Sequence, residues 1–434
     1  MRLNIGVIFG GKSVEHEISI ISAVEVMANI DTNKYKVVPI YIDKENNWYT
    51  GSHLKDILHY RDIALVKRYA KKVSLIKKDK SFILQSQGPL KRSLCVIDIA
   101  FPIGHGAFLE DGSLQGYLNM LGIPYIGSSV LGAAIGQDKI IQKDLFKQNG
   151  IPVCNYVWFY DYEFEKSKKE VLQRIKTLKY PLYVKPSSLG SSIGISVVKN
   201  EEELSKAVKE ASQFDRKIIV EEKVNNLKEI NISVLGNYEK QTTSEIEEIN
   251  SNEEFYSFKE KYVEGYTKIK GKHKKEKSKP LISKEMIEDI KQIAIKTFKT
   301  INASGVARID FLIDDKNKKI YVNEINTIPG DLASYLWLAK KTSQKELIEN
   351  LIKIASDEQK KKQETIYAFK GNLLEQYDIL KGEKLKKLEK KEKEEEKQAA
   401  KNEKNPKKEE KKPKKSNNKK NNKNNKSKKK SDVK

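Results

Sequence analysis

Apolar residues fall along this chain in short blocks whose period changes from one block to the next. Residues 3–9 are a mostly apolar run closed by Gly10-Gly11, which reads as a buried strand entering a tight turn. Residues 13–29 carry apolar side chains at helical spacing, and residues 35–42 form a second β-branched run. Residues 94–103 read as a third buried strand. Near-continuous apolar strands alternating with a helix predict a small parallel sheet, with functional loops at the carboxyl ends of its strands. Residues 46–88 are polar and charged, with no period that assigns them. Further on, residues 114–121 predict a helix and Tyr125-Ile-Gly a short strand. Residues 139–149 predict a helix stopped by Gly150. No internal repeat is present.

The densest chemistry lies in two adjoining strand-like runs. Arg308-Ile-Asp-Phe-Leu-Ile-Asp is followed by Tyr321-Val-Asn-Glu-Ile-Asn and a Thr-Ile-Pro-Gly turn. Alternate residues of a strand share a face, so Arg308 and Asp310 on one run meet Glu324 and Asn326 on the next. Two carboxylates and an amide oxygen are hard donors of the kind Mg²⁺ takes, with phosphates and water completing the shell. Arg308 adds a planar cation suited to a carboxylate or phosphate. Upstream, Tyr180-Pro-Leu-Tyr-Val-Lys-Pro ends a short apolar strand in Lys185, and Ser187-Ser-Leu-Gly-Ser-Ser-Ile-Gly follows. Such small residues leave backbone N–H groups able to fold over phosphate oxygens beside the lysine. Together the two stretches predict a metal–nucleotide site.

Five motifs resemble the ATP-grasp superfamily: Gly136-Gln-Asp-Lys, Val184-Lys-Pro with its Ser/Gly loop, Ile219-Val-Glu-Glu-Lys-Val, Arg308-Ile-Asp and Asn323-Glu-Ile-Asn. Within it, Phe9-Gly-Gly-Lys-Ser-Val-Glu-His-Glu-Ile-Ser and His105-Gly-Ala-Phe-Leu-Glu-Asp-Gly-Ser-Leu-Gln-Gly resemble the D-alanine–D-alanine ligase family. The resemblance runs over about residues 3–378, with the motifs in family order. It implies an α/β ATP-grasp fold with a Rossmann-like parallel-sheet domain at residues 1–130. A central α+β subdomain at 131–220 and a C-terminal α+β subdomain at 221–380 would hold ATP between them. The implied reaction is ATP-dependent joining of two D-alanines through a D-alanyl phosphate, in the cytoplasm, for peptidoglycan precursors. A different acceptor, D-serine or D-lactate, is the nearest alternative, and a homodimer is compatible with it.

The same resemblance distributes roles. Lys139, Lys185 and Lys261 would hold ATP phosphates, the backbone from Glu221 and Glu222 to Val224 would read adenine, and Glu229 would bind the ribose. Asp310, Glu324 and Asn326 would carry Mg²⁺ or Mn²⁺, two ions in all. Glu15 would take the first substrate's ammonium, linked to Ser191 and Tyr262, although a carboxylate at a helix start is also favoured by the dipole alone. His105 would orient or neutralise a substrate carboxylate, and Ser334 would serve the acceptor. Arg308 and the backbone after Gly330 would stabilise the oxyanion. Residues 265–279 would belong to a mobile lid, and Tyr262 favours an amine acceptor. Two residues depart from the family pattern: Leu109 stands where glycine is usual, and Asp331 sets a negative charge beside the acceptor's carboxylate.

Charge and composition change one part of this picture. The chain has 434 residues and a net charge of +23. Residues 381–434 hold 24 Lys against 10 Asp and Glu, a net of +14, which leaves +9 for the first 380 residues. That tail lacks aromatics and cannot bury enough apolar surface to order itself, beyond a transient charged helix over residues 381–397. Its lysines suit weak polyanion contact, and a nucleic-acid binder is the reading they would support alone. Cys95 and Cys154 lie in apolar runs without metal-ligand spacing, which suits reduced thiols in a cytosolic setting. No apolar run reaches the roughly 20 residues needed to span a bilayer. Gly6-Val-Ile-Phe-Gly-Gly-Lys-Ser matches a P-loop pattern, but its middle residues read as strand, so the match is accidental.

Overall fold

The structure is a computed structural model that describes residues 2–249, 280–369, 371 and 384–403. Residues 1–364 make one compact unit and residues 365–434 another.

The first sheet has seven strands: β1 (Leu3–Gly10), β2 (Tyr35–Ile42), β3 (Trp48–Thr50), β4 (Lys71–Lys78), β5 (Ser81–Ser86), β6 (Ser93–Val96) and β7 (Ile99–Pro102). Their order is β6-β5-β4-β3-β2-β1-β7, parallel only where β1 meets β2 and β7. The single strand expected at residues 94–103 is therefore two, on opposite edges. A flat sheet of seven strands is about 29 Å across, and the three peptide steps from β6 to β7 span about 11 Å at most. The sheet must curl until its edges approach. Asp98 secures the crossing, accepting from the Asn4 backbone N–H at 2.6 Å and donating its own N–H to the Asn4 carbonyl. The unassigned residues 46–88 supply β3–β5 and the short helix Ile63–Tyr69, and the expected strand at Tyr125 is one bridge to Ala100.

β1 is buried on both faces, as parallel strands are. Ile8 packs with Ile40, Val73, Leu84 and Ile97 on one side. Ile5, Val7 and Phe9 pack against Ile20, Ala23 and Val26 of the helix His16–Asn29 on the other. Leu332, Trp337, Leu347 and Leu351 from the C-terminal end of the unit complete that second core. Val7-Ile-Phe sits inside β1 rather than in a phosphate loop, which removes the P-loop reading.

The second sheet is antiparallel in the order β10-β9-β11-β8: β8 (Tyr156–Tyr160), β9 (Leu182–Pro186), β10 (Ser196–Val198) and β11 (Lys217–Glu222). Leu182, Val184, Ile218 and Val220 bury one face under the helices Lys168–Ile175 and Glu201–Ala211. By alternation Lys185 and Glu221 share the other. The third sheet has the order β13-β12-β14-β15: β12 (Leu227–Gly236), β13 (Gln241–Ile249), β14 (Gly305–Asp314) and β15 (Lys319–Asn326). Ile230, Ile232, Val234, Ile309, Phe311 and Val322 bury one face under the helix Lys284–Thr300. The opposite face is polar, carrying Glu229 and Asn231 on β12 with Arg308 and Asp310 on β14.

In the second unit the helix Lys384–Glu403 exposes all of its described side chains. No described helix is long and apolar enough to cross a membrane. Both cysteines are free thiols, and burial pushes Cys154 up to about 11.

Candidate active site

Register decides what the polar face of the third sheet presents. Arg308 pairs with Asn326 and Asp310 with Glu324, then a bulge at Asn323 resets Phe311 onto Val322. The bulge lets Glu324 and Asn326 face the site while Val322 still faces the core. Arg308 holds Asp310 through two bonds of 2.6 and 2.7 Å, and Asn326 Nδ2 stands 3.4 Å from the same carboxylate. Glu324 pairs with Lys139 at 2.8 Å. Burial resists its charge, but Lys139 first, then Lys185 and Arg308, hold it down at about 2. The donor set suits Mg²⁺ or Mn²⁺ bound with a nucleotide. Two opposed carboxylates, each already facing a cation, and one amide oxygen leave coordination positions for phosphate and water. No group of three or more His, Cys, Asp or Glu among the described residues forms a closed metal cage.

The helix Lys139–Gln148 wedges between the second and third sheets. Lys139 Nζ reaches Glu324 and also donates to the Leu189 carbonyl at 2.8 Å, so it touches β15 and the Ser/Gly loop together. Gln142 accepts from Ile325 N–H at 3.1 Å. Lys143 donates to the Asn323 carbonyl at 3.0 Å and pairs with Glu221, whose other oxygen takes Lys185. The loop itself is fastened by Lys139 N–H to Ser187 O (3.0 Å) and Gln137 Nε2 to Ser188 O (2.7 Å). Ser191 and Ser192 adopt left-handed φ of 54° and 61°, a conformation that is costly outside glycine and recurs at ligand clamps.

Glu15 shows why that conformation is held. Its carboxylate makes no capping bond to the helix it precedes and instead accepts from Ser191 Oγ. Gly190 lies against this carboxylate, and a Cβ there would stand 3.1 Å from Glu15 Oε1. Beside it Glu110 accepts from Gly106 N–H at 3.0 Å, and burial together with the Glu15 charge raises it to about 8. Burial and the neighbouring Glu15 thus favour the protonated form of Glu110. Leu109 is buried against two glycines: a Cβ on Gly104 or Gly11 would come within 2.3 or 2.6 Å of its side chain. Its departure from the family pattern is a packing solution.

His105 is buried, with its backbone N–H on Ser19 Oγ (2.8 Å) and its Nε2 3.0 Å from Ser22 Oγ. The ring also bonds the Ile328 carbonyl, while burial and then the Arg308 charge bring its pKa to about 4. Both ring nitrogens have partners within the protein. The ring clamps the first helix to the turn after β15. The unfolded imidazole protonates below about 6.5 and the folded one only below about 4, so stability is lost as pH falls through that window. His105→Gln should abolish a part of this slope worth about 3 kcal/mol. Urea unfolding at pH 7 and pH 4.5 measures it; an unchanged slope would show that His105 is solvated. His16, also lowered by burial, leaves a residual slope in both proteins.

After Gly330, Asp331, Leu332 and Ala333 all have left-handed φ, 50°, 53° and 52°. Asp331 stabilises the turn by accepting from Ser334 Oγ and Gln344 Nε2. The expected repulsive charge is thereby turned toward its own chain, and the Ser334 hydroxyl is committed to Asp331. The next residue, Tyr335, bonds Asn231 and adjoins Arg308 and Asp310, with its phenol raised by burial.

The remaining expected residues divide. Glu222 accepts from Asn155 Nδ2 and Lys179 N–H at 2.9 Å each, and its own N–H is taken by Asn155 O. Lys223 N–H goes to Pro181 O at 3.1 Å. Val224 is buried, and Glu229 lies on the site face of β12 beside Leu312 of β14. Lys261, Tyr262 and the lid at residues 265–279 lie outside the described residues. Sequence reasoning missed Lys143, Gln142, Glu110, Asn231 and Tyr335. Lys143 had a signal, standing four residues after Lys139 on the same helix face, and Asn231 stands two after Glu229 on one strand face. Tyr335 had none.

A curled mixed sheet, followed by two antiparallel sheets that bring lysines to carboxylates, defines an ATP-grasp ligase. The family models for the D-ala D-ala ligase N-terminus and C-terminus match residues 4–128 and 145–353. The D-alanine–D-alanine ligase of Thermosipho melanesiensis is 41% identical over 361 residues, covering 83% of this chain and 95% of its own. The D-alanine–D-alanine ligase structure from Coxiella burnetii aligns with a TM-score of 0.69 at 32% identity, over 87% of this chain and 98% of that one. The Bacillus anthracis enzyme complexed with ATP aligns with a TM-score of 0.57 at 25% identity, over 83% and 99%. The chain belongs to the D-alanine–D-alanine ligase family.

Proposed function

We propose that this chain joins two D-alanines with ATP, through a D-alanyl phosphate, to supply peptidoglycan precursors in the cytoplasm. The observation that carries the reading is the convergence of Lys139, Lys185, Asp310, Glu324 and Asn326 with the Glu15–Ser191 contact across one loop. Amide formation needs an activated carboxylate, and phosphoryl transfer is catalysed mainly by positioning and charge neutralisation. Lys139 and Lys185 meet the phosphates, and the Ser/Gly loop folds over them. Asp310, Glu324 and Asn326 hold Mg²⁺ or Mn²⁺, which when bound neutralises phosphate charge. Glu15, held by Ser191 beside Glu110, takes the first ammonium. Arg308 and the backbone after Gly330 stabilise the oxyanion left by the second amine's attack. The domain divisions at residues 130, 220 and 380 follow the same reading, as does a homodimer.

The test is phosphate release from the purified protein with ATP, Mg²⁺ and a panel of D-amino and D-hydroxy acids. Turnover confined to D-alanine pairs is expected; turnover only with D-serine or D-lactate as acceptor would overturn the assignment.

The Lys-rich tail lies beyond the family match at residue 353. Removing residues 381–434 should leave the melting temperature and the constants for ATP and D-alanine unchanged, while abolishing salt-sensitive binding to RNA or anionic vesicles. A large fall in turnover on truncation would place the tail in contact with the catalytic unit.

A further inference from the structure

Lys143 has no role in the scheme above, yet it is only 1% exposed, more deeply buried than Lys139 or Lys185. A buried ammonium is expensive unless its surroundings compensate it. Here the compensation is specific. Lys143 Nζ stands 2.9 Å from Glu221 Oε1, as an ion pair rather than an aligned hydrogen bond, and 3.0 Å from the Asn323 carbonyl in the β15 bulge. Glu221, 2% exposed, gives its other oxygen to Lys185. One carboxylate thus serves two ammonium groups, where one would suffice for neutrality.

The surplus has a consequence for Lys185. A lysine that binds phosphate must leave whatever acid it rests on, and a buried carboxylate left alone opposes that departure strongly. With Lys143 in place, Glu221 keeps a counter-ion after Lys185 has gone. Lys143 cannot make the same move, because its ammonium is anchored on the Asn323 carbonyl at the join of helix and strand.

We propose that Lys143 is a positioning residue, the fixed counter-ion of Glu221 that frees Lys185 to pass from Glu221 to a nucleotide phosphate. The proposal rests on the assignment of Lys185 to the phosphates.

Full-length wild type, Lys143→Met and Lys143→Met/Glu221→Gln are compared for kcat and for KM toward ATP at saturating D-alanine, and Lys185→Ala for ATP affinity by nucleotide titration. In Lys143→Met the unbalanced Glu221 should retain Lys185 and raise KM for ATP about tenfold or more, with kcat reduced much less. Removing both charges should return KM to within about threefold of wild type, because the acid that traps Lys185 is gone. A lysine serving only to hold the fold would show neither the split between KM and kcat nor this rescue. Wild-type KM in Lys143→Met, or a double variant no better than the single, overturns the proposal. Should Lys143→Met not fold, the double variant decides alone: KM within about threefold of wild type supports the proposal, and KM raised about tenfold or more overturns it. Loss of ATP affinity in Lys185→Ala, with Lys143→Met unaffected, removes this inference only. Normal ATP affinity in Lys185→Ala removes the phosphate assignment and the inference with it.

Discussion

Glu324→Gln is expected to lower turnover at least about a hundredfold while leaving a folded protein, since it takes one full charge from the proposed metal–phosphate site. Glu324 is ionised across the working pH range, held at about 2, and directly opposes Asp310 on the neighbouring strand. Glutamine fills the same volume and keeps a carbonyl oxygen, so shape is preserved and only the charge is lost. Lys139 retains the Leu189 carbonyl as an acceptor at 2.8 Å, which limits the cost to stability to about 1–3 kcal/mol. Phosphate release and a melting curve on the same preparation separate the two effects. Near-normal release from a folded variant would mean that Glu324 is only the partner of Lys139.

Lys185→Ala should abolish ATP-dependent ligation, and Lys12→Ala should leave ATP binding largely intact. The two lysines end the two candidate phosphate motifs, and their settings differ. Lys185 is 7% exposed at the end of β9, on the same sheet face as Glu221 and next to the Ser/Gly loop. Lys12 is exposed after the Gly10-Gly11 turn, whose preceding residues are locked in β1 between two parallel neighbours. A strand with its N–H groups spent on a ladder has none to offer a phosphate. Loss of Lys185 leaves Glu221 paired with Lys143, so the fold should survive the substitution. Nucleotide titration of both variants decides the matter, and the reverse pattern would return the site to the N-terminal turn.

Much of the site was legible because strand alternation is local. Arg308 with Asp310 and Glu324 with Asn326 can be placed on shared faces by counting twos, and Lys185 at a strand end needs only an apolar run before it. The same counting fails wherever the chain reverses without a compositional mark. Residues 94–103 look like one strand because the reversal at Asp98 depends on a bond to Asn4, far away in sequence. His105 looks like a loop histidine in the sequence, and only the fold buries it against Ser22 and the Ile328 carbonyl.

The sequence by itself determined the order of the motifs and the chemical types gathered at the site, which rest on residue identity, and through its family resemblance the fold class. Tertiary structure alone decided the charge states and the partners. Glu110 is pushed toward its protonated form because Glu15 and burial surround it, and Glu221 becomes the anchor of two lysines because a helix wedges Lys143 between two sheets. Asp331 turns inward because Ser334 and Gln344 are there to donate to it. A pattern of residues states which groups exist, whereas pKa and pairing depend on distance and dielectric, and those are set only when separate segments pack together.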